Sequence, residues 1–344
     1  MDFFPLDESL ETGRELWSEG VAKAVCRLSA RMPFAAACED FIALTQVQIS
    51  AKSVERLAHR YGQALASAQG EQAQIVWTES GEWPSQPPPI APDQRVALVD
   101  GTMLNTRSQG WMEAKVGSAA RFASAPDPDH PGEQTAALAD IGYCVWLGSA
   151  DAFAPRFWLE MERLHVRWAQ TQVALSDAGQ WVRQLLSQAL PEATHIIDWY
   201  HASERLWGVA REVWGATTPA GQAWGHQMET ALWEGRLAAV QTALQTLLDQ
   251  GQTAACITPA CTYFRNQAAL MNYPAYRQRG LPIGSGTVES ACKNVVGARC
   301  TLPGMRWTIP GVQAILSLRA ELLSHRWDQS WALARDYRRR LPPI

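Results

Sequence analysis

The sequence predicts an α/β protein. Short apolar runs of strand character recur between residues 95 and 201, and stretches with apolar spacing of three and four separate and flank them. Three of those apolar runs close on an aspartate. The chain has 344 residues, 47% hydrophobic and 19% charged, which is globular composition with enough length for a sizeable core and more than one unit.

The elements follow in order. Residues 1–80 are expected as a helical region, dominated over 14–70 by Ala, Leu, Arg and Glu. Within it, PFAAACEDFIALTQVQISAKSVERLAHRYGQ gives a helix, a short turn over 45–50 and a second helix that Ser50 or Ser53 would cap. Lys52, Arg56 and Arg60 stand at four-residue steps on one face of that second helix. This is the pattern of a helix-turn-helix with a basic recognition helix, and equally that of an ordinary helical hairpin. Residues 81–94 hold EWPSQPPPIAPDQ, whose five prolines exclude a helix interior and mark a linker and domain boundary.

Beyond the linker, RVALVDGTML, WMEAKVGSAAR and GYCVWLG are expected as three strands, APRFWLEMERLHVRWAQ as a helix and TQVALSD as a fourth strand. GQWVRQLLSQAL adds a second helix and THIIDWYH a fifth strand. Three strands, helix, strand, helix, strand is the chain order of a ribonuclease H-like core, among other α/β options. That core would occupy 95–204, with an all-helical insertion over 205–280, a return to the core over 281–305, and basic C-terminal helices over 306–344.

Composition removes several classes of function. No run of about 18 apolar residues indicates a membrane span. The opening MDFFPLDESLETG lacks the basic-then-apolar order of a signal peptide, and seven cysteines without a C-x-x-C pair are expected as reduced cytoplasmic thiols. A net charge of −4 argues against a uniformly basic nucleic-acid binder. Residues 290–344, however, carry nine Lys/Arg against three acids, enough for a local phosphate-facing surface or for a solvated helix face with a basic tail.

Asp100, Asp177 and Asp198 follow VALV, QVAL and HII. An Asp at such a strand end opens a turn or points into the crevice where α/β sheets bind ligands. Carboxylates converging from separate elements suit Mg²⁺, which takes one or two protein carboxylates together with substrate phosphate oxygens. A Gly-Ser-Gly loop, LPIGSGTVESACK at 281–293, leads to a further acid, Glu289. It is neither a Walker loop nor a dinucleotide fingerprint, because the Gly-Lys-Ser/Thr and the third Gly are missing. Glu289 would favour the first turn of a helix through the dipole, and Lys293 would lie on its face, either paired with it or on a DNA phosphate.

Five motifs in order, VDGTM at 99–103, WMEAKVG at 111–117, DWYH at 198–201, PIGSGTVE at 282–289 and GMRW at 304–307, resemble bacterial insertion-sequence transposases of the ISKra group, relatives of the Mutator-like DDE transposases. FPLDE at 4–8 and LSLRAELLSHRWDQSW at 316–331 extend the resemblance over most of the chain. It implies a ribonuclease H-like core of the retroviral integrase superfamily, with a helical N-terminal DNA-binding region and a helical insertion. It also implies an Asp-Asp-Glu triad acting with Mg²⁺, or Mn²⁺ in its place, to cleave a DNA strand and join its 3′ end to a target.

Asp100 and Glu289 match the first and third acids. Asp177, on the fourth strand, is expected as the second metal ligand, with Asp198 and His201 as an accessory pair or the alternative second acid. Lys52, Arg56, Arg60, Lys293, Arg299, Arg306 and Trp307 are expected to bind DNA, with Trp199 and Trp307 able to stack on an unpaired base. The partners implied are terminal inverted repeats and target DNA as duplex, bound by a homo-oligomer in the bacterial cytoplasm, with no membrane.

Two departures stand out. Relatives usually carry Asp-Gly-Ala at the second acid, where this chain has Asp177-Ala178-Gly179. Relatives also carry a Cys-rich segment before FPLDE, where this chain begins, so a shortened copy is expected. The alternative class is a domesticated, non-catalytic DNA-binding protein that keeps the fold. A carboxylate-pair glycosidase would need neither metal nor DNA.

Overall fold

The computed structural model describes residues 17–77, 88–127, 134–252, 255–284 and 291–340. The FPLDE motif, part of the Pro-rich linker, and Ser285, Gly286 and Glu289 lie outside the described residues. Three helices come first: α1 (Glu19–Ser29), α2 (Phe34–Thr45) and α3 (Ala51–Trp77). The sheet follows as β1 (Gln94–Thr106), β2 (Gly110–Pro126), β3 (Gln134–Leu147), α4 (Ala150–Arg163), β4 (Thr171–Ser176), α5 (Gln180–Ala189) and β5 (Thr194–Ile197). The expected order of strands and helices is therefore the observed one.

The strands lie side by side as β3-β2-β1-β4-β5. β1 pairs antiparallel with β2, and β2 with β3, because hairpin-length connections join them. β1 and β4 pair in parallel, as do β4 and β5, because α4 and α5 supply the crossovers. Alternation along each strand then serves two cores. Ala97, Val99, Ala119 and Ala174 face α4 and α5 through Phe153, Phe157, Leu185 and Leu186. Val96, Leu98, Val116, Val173 and Leu175 point to the opposite face, into a larger cluster.

That larger cluster corrects the expected division at the linker. Val25, Phe41, Leu57 and Leu65 of the first three helices share it with Ile315, Leu316 and Leu318 of α11 (Ile309–Leu323) and with Trp327 and Trp331 of α12 (Trp327–Arg340). Helices α3 and α11 approach so closely that a Cβ at Gly62 would meet the Ala314 carbonyl. Residues on the two sides of 81–94 thus build one core, and the linker does not separate packing units. α11 also covers the β3 edge: Gln313 accepts from the Leu147 N–H at 2.9 Å and donates to the Val145 carbonyl at 3.2 Å.

The helix-turn-helix outline is present in part. Ser50 caps α3 by accepting from the Ser53 N–H at 3.1 Å, and the turn passes through Gln46 at φ 60°. Yet α3 runs for 27 residues and buries Val54, Leu57, Tyr61 and Leu65, so it is a central packing helix with one basic outer face.

Between β5 and the C-terminal helices the described residues form helices, as expected, without a strand: α6 (Trp199–Trp214), α7 (Pro219–Trp233), α8 (Leu237–Asp249), α9 (Ile257–Asn266) and α10 (Tyr273–Gln278). After 291 comes a π-helical segment, Cys292–Gly297. Such wide turns are uncommon and recur at functional sites. No helix of the described residues is long and apolar enough to cross a membrane.

An ion network ties these layers together. Arg326 grips Glu160 of α4 through two bonds of 2.7 and 2.8 Å and reaches Glu321 of α11 at 2.9 Å. Arg163 adds longer contacts to both acids, and Ser330 and Gln69 donate to Glu321 at 2.6 Å each.

Candidate active site

Asp100 and Asp177 come together through strand register. Val99 pairs with Ser176 at the end of the parallel β1–β4 ladder, so the next residues are the two aspartates on adjacent strands. Asp100 shares the face of Val96 and Leu98 and looks toward the π-helical segment. Its Oδ1 accepts from the Gly101 N–H at 2.7 Å, and its Oδ2 receives the Cys292 thiol at 3.5 Å. Burial pushes the Asp100 carboxyl above its ordinary value, and the charge of Asp177 adds to the rise. The Gly101 N–H, His201 and Cys292 oppose it.

Asp177 holds its turn by accepting from the Gly179 N–H at 2.8 Å through Oδ1. Between them Ala178 sits at φ 75°, in the left-handed region where a side chain is strained. The Asp-Gly-Ala of the transposases that the sequence resembles would place its glycine at this position. The departure noted in the sequence therefore has a physical cost, carried beside an acid of the site. Ala178→Gly is expected to raise stability by about 1 kcal/mol, read as a higher urea midpoint, with the Asp177 turn retained.

Asp198 behaves differently. The expected strand through DWYH stops at Ile197, and Asp198 is instead the N-cap of α6. It is 0% exposed and accepts from both the His201 N–H, at 2.7 Å, and His201 Nδ1, at 3.0 Å. Its own N–H donates to the Ser176 carbonyl at 2.8 Å. The Asp198 hydrogen bond raises the pKa of His201, burial lowers it, and Asp198, Asp100 and Asp177 raise it through charge. The half-buried imidazole is thus oriented by one acid and electrostatically coupled to the other two.

The ends of the segment that carries Glu289 meet this cluster. On one side, the Ile283 carbonyl accepts from the Trp199 N–H at 2.8 Å, and Gly284 lies against the Tyr200 ring, leaving no room for a Cβ. On the other, Cys292 touches Asp100. The contact was missed in the sequence, where the seven cysteines read only as reduced thiols.

The expected DNA contacts divide. Lys52, Arg56 and Arg60 are exposed on α3, with Lys52 paired to Glu55 at 2.8 Å. Lys293 and Arg306 are exposed as well. Arg299 and Trp307 are corrections. Arg299 is 0% exposed, donates to the Ser29 carbonyl at 2.9 Å and stands over the rings of Phe34 and Trp307. Burial lowers its pKa to about 10. Trp307 is buried, with its indole N–H on the Cys300 carbonyl, and so offers no face to a base. Trp199 is likewise buried, against Trp233 and Tyr273. Its neighbour Tyr200 is the exposed aromatic.

The basic C-terminal count shrinks for the same reason. Arg319 spends its guanidinium on the carbonyls of Val295, Ala30 and Asn294, and Arg326 on Glu160 and Glu321. These cations hold the fold and do not reach a phosphate. Among the described residues, no group of three or more His, Cys, Asp or Glu side chains is gathered closely enough to hold a metal ion. Comparison of the sequence with protein-family models and with curated proteins finds no match.

Proposed function

We propose that the chain is a DNA transposase of insertion-sequence type, built on a ribonuclease H-like core. Asp100 and Asp177 would be its first two acids and Glu289 the third. The observation that carries this reading is the β3-β2-β1-β4-β5 order with β1 and β4 parallel, which brings together two aspartates 77 positions apart in sequence. The ordered motifs, one of which holds Asp100 and another Glu289, support it.

A divalent cation fits what the residues offer. Asp100 and Asp177 are neighbouring carboxylates, the first destabilised by burial and by the second's charge, and a positive ion held by them would relieve that cost. Each holds a backbone N–H on Oδ1 and is oriented by it, and the second oxygen of Asp100 meets only the weakly donating Cys292 thiol at 3.5 Å. Mg²⁺ needs only one or two protein carboxylates besides substrate oxygens. When bound, such an ion polarises a phosphoryl oxygen and lowers the pKa of an attacking water.

The chain's own residues then position the DNA. Asp198, buried and doubly bonded to His201, orients that imidazole at the edge of the site, where its raised pKa favours a cation facing a phosphate. Lys52, Arg56 and Arg60 present a basic stripe suited to a duplex backbone. Purified protein is expected to nick a plasmid carrying the element's ends in Mg²⁺ or Mn²⁺, to stop on chelation, and to lose the activity in Glu289→Gln. Nicking that survives both treatments would overturn the reading.

A further inference from the structure

A cavity of about 720 Å³ opens at the start of α6, between α6, α7, the β3 edge and residues 281–284. It uses the same first turn of α6 that carries His201: Trp199, Tyr200 and Ser203 line it. Tyr200 is 63% exposed, and its ring runs nearly parallel to that of Trp199, 12° apart with centroids at 6.4 Å. Trp233 forms another wall and is covered by the Arg277 guanidinium, 3.7 Å from its ring centroid. The polar lining includes Glu229, whose Oε1 accepts from the Ser203 hydroxyl at 2.5 Å.

We infer that this cavity receives one unpaired nucleobase of the strand being cleaved, a base that carries an exocyclic amino group. The inference rests on the transposase reading. An exposed aromatic face stacks on any base and on no phosphate. The Glu229 carboxylate in the wall can accept from an amino group, as carboxylates do from the cytosine amine. The volume is ample for a base with its sugar. Continuity through Asp198, Trp199, Tyr200 and His201 places the stacking face in the same helical turn as His201, two residues from Asp198. Gly284, pressed against the Tyr200 ring, holds that ring in place from the side of the segment leading to Glu289.

The test is binding of fluorescent single strands of deoxycytidine, deoxyadenosine, deoxythymidine and abasic deoxyribose phosphate, read by anisotropy. The amino-bearing strands are expected to bind tighter than the deoxythymidine and abasic ones. Tyr200→Ala is expected to weaken the base-bearing strands about 5- to 150-fold and leave the abasic strand unchanged, with Tyr200→Phe restoring affinity. Glu229→Gln is expected to remove the preference over deoxythymidine. Base-bearing and abasic strands binding alike, or Tyr200→Ala without effect, would overturn the inference. If plasmid nicking persists alongside that result, the cavity assignment alone falls. If no strand binds and no plasmid is nicked, the transposase reading falls with it.

Discussion

Asp100→Asn is expected to abolish metal-dependent strand cleavage, by a factor on the order of 10³ or more, while leaving the fold intact or more stable. The two outcomes have one cause. Burial, with Asp177 beside it, penalises the charged carboxyl at Asp100 in the folded protein. A group whose folded pKa is raised costs stability above that pKa, so a neutral amide of the same shape removes the cost. A purely structural aspartate would show the opposite pairing, with lost stability as well as lost activity. Thermal unfolding without metal, measured beside a plasmid-nicking assay, separates the two.

Arg326→Met has the largest expected effect on stability, a loss of about 3–5 kcal/mol in urea unfolding. Glu160 and Glu321 are 1% and 2% exposed, and Arg326 provides the closest cationic contacts to both. Arg163 remains within 3.4 Å of Glu160 and 3.2 Å of Glu321, which favours the lower end of that range. Burial pushes both carboxyls up; at Glu321 the two guanidinium groups outweigh it, whereas Glu160 stays above its ordinary value. The sign of the pH dependence follows. With Arg326 gone, the deficit is fullest above the elevated pKa of Glu160 and shrinks as pH falls through it, because the protonated acid carries no charge to bury. A deficit that grows on acidification would contradict this assignment.

Much of the sheet was legible because its strands carry their own signals. VALVD and QVALSD are apolar runs closed by an acid, and the amphipathic runs between strands have helical period. Their neighbourhood in space follows from crossover rules, which favour β4 beside β1 once α4 intervenes. DWYH was harder. β5 is only four residues long, and the Asp that ends it caps a helix, a role that spacing does not separate from a strand end. Arg299 and Trp307 misled because exposure is a tertiary property: a motif residue with a phosphate-binding or stacking chemistry can equally spend it inside the fold. Cys292 and Asp100 lie 192 positions apart, and no local pattern announces that contact. Ala178 is the reverse case, where a two-letter departure from the motif of the transposases that the sequence resembles falls on a positive φ that only the backbone could make visible.

The most direct test compares Asp177→Asn with Asp198→Asn in Mn²⁺-dependent plasmid nicking. Asp177 lies beside Asp100 and keeps one oxygen outside its turn, while Asp198 is fully buried and committed to His201. Nicking is expected to vanish in Asp177→Asn and to persist, weakened by about 10- to 100-fold, in Asp198→Asn, as for a residue that orients a site without holding its ion. Full loss in Asp198→Asn with activity retained in Asp177→Asn would contradict the account.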